Sequence, residues 1–137
     1  MEGYPEASGE RDPLVIWKGD VMKATRLYTG PDGESHFEDI DIDLKTYGEG
    51  EKRSEMMKAG GILLRETVGT LDQQWHNAPA RQFVITLRGR GEIQIGDGTT
   101  RQFGPGDIML AEDLTGRGHI TRGVGDEPRV SIFVTLE

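Results

Sequence analysis

The chain has 137 residues, no cysteine and a formal charge of −8. That is the length of one domain with chain enough for a single core, and it excludes a disulfide framework and any thiolate metal site or nucleophile. The acidic balance argues against non-specific nucleic-acid or anionic-membrane binding, which calls for a basic face.

In chain order, residues 1–13 (MEGYPEASGERDP) are polar and lack an apolar core, so they predict a flexible N-terminal arm and neither a signal peptide nor an anchor. Residues 14–137 are expected to form one domain. LVIW and VMKATRLY predict the first strands, and TGPDGE between VMKATRLY and the next strand is turn chemistry, with Asp-Gly favouring a tight reversal. HFEDIDIDL alternates apolar and acidic residues, the period of a half-buried strand with its acidic side in solvent. KTYGEGEKRSEMMKAGG is the one long loop, expected to carry a helical turn around SEMMKA. It is either a cover for a cavity mouth or a plain surface loop, with Met56 and Met57 as the deciding residues. ILLRETV, RQFVITL, GEIQI, DIMLA and VSIFVTL follow as short β-rich runs separated by Gly- and Pro-containing turns. Many short strands at close spacing predict an all-β sandwich or barrel. No stretch approaches the roughly 18 apolar residues of a spanning helix, and a cytoplasmic protein is expected.

The run from Trp75 to His119, WHNAPARQFVITLRGRGEIQIGDGTTRQFGPGDIMLAEDLTGRGH, resembles the cupin superfamily. That family's first motif reads G-x5-H-x-H-x3–4-E-x6-G. Gly69, one residue further from the histidine than the motif has it, His76 and Gly89 follow it, while Ala78 stands for the second histidine and Gln82 for the glutamate. Its second motif reads G-x5-P-x-G-x2-H-x3-N. Gly116 and His119 keep the core, Leu114 replaces the proline and Gly123 the asparagine. Gly106-Asp107 is similar to the family's turn ahead of that motif, with two extra residues after it. The resemblance covers Leu63 to Leu136 and implies a single cupin-type jelly-roll β-barrel, with homodimer formation by analogy of fold. SHFED, WHNAP and LAEDxTGxGH are similar to phrases in a narrower, largely uncharacterised cupin group, which implies no particular reaction.

Strand parity limits which side chains share a face. An inward His76 carries Ala78, Gln82, Val84 and Thr86 with it if no bulge intervenes, and His119 shares a face with Thr121. In ILLRETV, Leu64 and Glu66 oppose Leu63, Arg65 and Thr67, and which set is inward stays open. His76 and His119 are the leading candidates, because a neutral imidazole offers one donor and one acceptor and titrates near neutrality. The alternative for each is a histidine satisfied by a backbone carbonyl. An inward Glu66 would serve as a base, whereas an inward Arg65 would bind a carboxylate or enolate, and a salt bridge is the plainer role of both. Gln82 suits orienting a substrate oxygen, and Trp75 with Phe83 or Met109, depending on register, would supply walls. His36 is expected at the surface; facing inward, it would complete three imidazoles. Glu112 and Asp113 are read as turn residues, and Arg81 as a surface partner for the acidic strands.

Three functions follow. The first is an enzyme of isomerase, cyclase or lyase type that uses the cavity for acid–base chemistry on a small molecule, with His76, His119 and Glu66 catalytic and no tightly held metal. The second is a metal-dependent oxygenase or lyase holding Fe, Mn, Ni or Zn on His76 and His119 with His36, Gln82 or Glu66. The third is a ligand-binding cupin without chemistry. No nucleic-acid or membrane partner is expected.

Overall fold

The computed structural model describes residues 17–18 and 21–137. The expected arm, and Leu14 to Ile16 of the first predicted strand, lie outside these residues. The chain is all-β and runs through β1 (Trp17–Lys18), β2 (Val21–Thr29), β3 (Ser35–Asp43), β4 (Lys45–Thr46), β5 (Lys52–Arg53), β6 (Ala59–Thr67) and β7 (Asp72–His76). It continues through β8 (Gln82–Arg88), β9 (Gly91–Gln94), β10 (Thr100–Phe103), β11 (Ile108–Glu112), β12 (His119–Gly123) and β13 (Arg129–Leu136).

Two sheets face each other. The larger has seven strands, ordered β3-β2-β11-β8-β13-β6 with β1 also on β2, and is antiparallel except where β11 runs parallel to β2. The smaller, β10-β9-β12-β7, is antiparallel throughout. The reversal predicted at TGPDGE joins β2 to β3, with Gly33 at φ 77° and its N–H donating to the Gly30 carbonyl at 3.0 Å. Along β3 the acidic residues Asp39, Asp41 and Asp43 are exposed and Ile40 and Ile42 half-buried, as the alternation predicts.

Leu27, Val84, Met109 and Ala111 of the large sheet meet Ile93, Ile95 and Phe103, which lie on or beside the small sheet, in one buried cluster, with Phe37 and Phe133 packed on it. Each such fully buried side chain contributes about 1.5–3 kcal/mol of transfer free energy. The two inner faces thus make the core of a jelly-roll sandwich.

The long loop corrects one expectation. No helical turn forms around SEMMKA; β4 and β5 close a small hairpin over which the Arg53 guanidinium stacks on Tyr47 at 3.6 Å, and Met56 is 95% exposed. So short a segment, with no apolar surface to lie on, cannot offset the cost of helix nucleation. Among the described residues no helix is long and apolar enough to cross a membrane.

Candidate functional site

A cavity of about 330 Å³ opens between the sheets, at the small end of the size range of ligand sites. Strand parity decides what reaches it. On β8, Gln82 and Val84 line the cavity and Phe83 turns to the outer face; on β11, Met109 and Ala111 point inward. On β6, Leu63 and Arg65 line the cavity while Glu66 is exposed on the other face. Pairing with β13 sets this choice, since Arg65 faces Ser131 across the ladder and Glu66 faces Val130. The acid–base role expected of Glu66 therefore has no geometric basis.

His76 and His119 meet. They are direct partners across the β7–β12 ladder, with ring centroids 4.4 Å apart at 58°. Gly118 makes the approach close: a Cβ there would lie 2.1 Å from the His76 carbonyl oxygen, and φ is 81°. The glycine of TGRGH thus admits His76 backbone rather than ligand.

His119 is buried, with Nδ1 2.6 Å from Asp113 Oδ2. That carboxylate is fully buried, and the same oxygen accepts the Ser35 hydroxyl at 2.8 Å. An ionised carboxylate only accepts, so His119 holds a proton on Nδ1 and leaves Nε2 for the cavity. His76 Nδ1 donates to the Gln74 carbonyl at 2.7 Å, which likewise leaves Nε2 as the acceptor of its neutral ring. Burial pulls the His76 imidazole below its ordinary value; the Gln74 carbonyl opposes this and His119 adds to it. His76 is a neutral ring beside one that a carboxylate supports.

Asp113 is the residue that sequence reasoning assigned to a turn. Its neighbour Glu112 points outward to Arg26, at 2.6 Å, and to Arg81. Asp113 stands just past the end of β11, and its side chain turns inward where that of Glu112 turns outward. Arg129 was also missed, because the last strand was read from Val130. It opens β13 and shares a face with Ser131 and Phe133, at the cavity.

Three expected residues lie elsewhere. Trp75 is 40% exposed beneath the Arg117 guanidinium, 5.2 Å from its ring centroid. Phe83 is on the outer face. His36 pairs with Asp32 at 3.0 Å and stacks near Tyr28, at the sheet edge formed by β3. A site of three imidazoles is therefore not formed. Among the described residues no three of His, Asp or Glu gather as a metal cluster. Ala78 and Gln82 stand on the cavity wall where the resemblance puts two ligands. Of the donors considered for a metal, His76, His119 and Gln82 reach the cavity wall, whereas His36 and Glu66 do not.

The fold is a two-sheet β-sandwich in which His76 and His119, the two histidines of the cupin resemblance, stand side by side on the β7–β12 ladder at the cavity. No family model and no curated protein matches the chain. Solved structures similar to it include the following two. Protein NMB1881 from Neisseria meningitidis is 14% identical over 61% of this chain and 84% of its own, with a TM-score of 0.44. The Cnp3 cupin domain of Schizosaccharomyces pombe is 10% identical over 88% and 86%, with a TM-score of 0.45.

Proposed function

We propose that the protein is a small-molecule enzyme that moves protons within its cavity, of isomerase, cyclase or lyase type and without a tightly bound metal. The observation that carries this reading is the buried Asp113–His119 pair set against a second, neutral imidazole. A carboxylate on Nδ1 fixes tautomer and ring orientation and supports the imidazolium that forms when Nε2 takes a proton. Two rings at 4.4 Å disfavour a second positive charge. The pair is thus suited to hold one proton between them, taken from one substrate atom and returned to another. Gln82, buried and neutral, is placed to orient a substrate oxygen.

A metal-dependent oxygenase or lyase would keep His76 and His119, with the neutral Gln82 as a weak third donor, and would lack His36 and Glu66. A homodimer belongs to the same proposal. Its support is the outward face of β6, where Ile62 and Leu64 are 70% and 72% exposed beside Ile132 and Val134 of β13.

The test is hydrogen exchange into small carbonyl compounds and acids in D2O, followed by NMR, alongside elemental analysis of the protein. Exchange that survives chelation and is lost in His76→Ala and His119→Ala is expected. Stoichiometric metal on which exchange depends would overturn the reading.

A further inference from the structure

Arg129 is a buried charge without a counter-ion among the described residues. Its side chain is on the cavity wall and the residue is only 8% exposed. Nη2 donates to the Thr86 hydroxyl at 2.9 Å, and Nε is buried with no partner at all. The outer arginines are treated differently: Arg26, Arg101 and Arg117 each reach a carboxylate at 3.0 Å or less. A structural tie between β13 and β8 would need one donor and no charge, so the Thr86 bond does not account for a guanidinium here. Burying an unpaired cation is costly.

The surroundings are built for it. A Cβ at Gly91 of β9 would lie 2.8 Å from Arg129 Nη1 and 2.9 Å from Cζ, so the guanidinium occupies space that only glycine leaves open. Arg65 comes to the same cavity from β6, its Cζ 5.5 Å from the Phe133 ring centroid. The two cations feel each other: burial first, and then the Arg65 charge, pull the Arg129 guanidinium below its ordinary value. Among the described residues no aspartate or glutamate lines the cavity. A chain of formal charge −8 has therefore set two arginines and no acid around its internal space.

We propose that Arg129 and Arg65 form an oxyanion subsite that takes the carboxylate of a small organic acid. The acid's apolar body would lie against Val84, Met109 and Phe133, with its reacting carbon toward His76 and His119. This names the substrate class for the proton-transfer reading and rests on it only for the orientation toward the histidines. A planar guanidinium matches a carboxylate edge and discriminates it from a neutral amide. The small volume and apolar walls favour a monocarboxylate over a phosphate ester. Guanidinium donors at the carboxylate would also stabilise the charge that develops when its α-proton leaves.

The experiment is calorimetric titration and thermal unfolding of the full chain with phenylacetate, phenylacetamide, phenyl phosphate and inorganic phosphate. Phenylacetate is expected to bind and to raise the unfolding temperature, and the amide to do neither. Arg65→Met and Arg129→Met should each weaken phenylacetate by about tenfold or more, the scale of one lost charged hydrogen bond. Should Arg129→Met fail to fold, Arg65→Met and Gly91→Ala, which crowds the guanidinium, decide in its place. His119→Ala should keep the binding and lose proton transfer, so binding retained with proton transfer undiminished would overturn only the catalytic reading. Equal binding of acid and amide, preference for either phosphate, no binding of phenylacetate, or affinity unchanged in the arginine variants would each overturn the subsite.

Discussion

His119 sits directly across the β7–β12 ladder from His76, and the absent side chain of Gly118 is what lets the two strands come that close. Placing a methyl group at 118 sets it 2.1 Å from the His76 carbonyl oxygen in a backbone conformation that disfavours any side chain. Gly118→Ala should lower stability by about 2 kcal/mol or more, combining the positive-φ cost with overpacking. Urea unfolding checks this, and an unchanged midpoint would refute it.

Asp113 acts through His119. Asp113→Asn keeps the volume but replaces the charge that holds Nδ1–H and supports the imidazolium. A loss on the order of 10²-fold or more in kcat/KM, carried by kcat, is expected. Asp113→Ala should in addition destabilise the fold by about 1–3 kcal/mol, since the Ser35 hydroxyl and His119 Nδ1 would both be left buried without a partner. Equal stability of the two variants would show that the carboxylate is not a packing centre.

The pH dependence follows from His76. Its folded-state value lies below the ordinary 6.5, so the unfolded chain binds the proton more readily. Its contribution is therefore fully present above about 6.5 and declines as pH falls from there toward the depressed folded value, below which it is flat. Denaturation followed from pH 8 downward should show this slope in the wild type and lose it in His76→Gln. Persistence of the slope in the variant would assign it to other groups.

Self-association should depend on β6. Leu64→Asp puts a charge at the centre of the apolar outer strip without touching the cavity, since Leu64 faces away from it. Sedimentation equilibrium is expected to give a dimer for the wild type and a monomer for the variant. A monomeric wild type would end the homodimer proposal.

The sequence made the sheets legible through the period-two alternation in HFEDIDIDL and the β-rich, turn-bounded run RQFVITL, and the histidine pair through the glycine and histidine spacing. It set Gln82 and Val84 on one face, because parity within one strand needs no knowledge of its neighbours, and left the choice between Phe83 and Met109 to the register. What it left open was the face of ILLRETV, which only the ladder with β13 settles; there Arg65 took the inward place and Glu66 the outward one. Asp113 and Arg129 were hidden for a related reason. Both stand where a strand begins or ends, and the direction of such a side chain depends on tertiary register rather than on local pattern. Trp75, for all its prominence in the WHNAP phrase, stacks under Arg117 outside the cavity.

β6 is an edge strand, hydrogen-bonded on one side to β13 and on the other to no strand among the described residues. Yet its Leu63 and Arg65 belong to the cavity wall. One strand would thus serve both the proposed ligand and whatever pairs with that edge. By thermodynamic reciprocity, any coupling of occupancy to edge pairing must run both ways: a ligand that steadies β6 promotes assembly, and assembly tightens the ligand by the same factor. Apparent affinity would then rise with protein concentration.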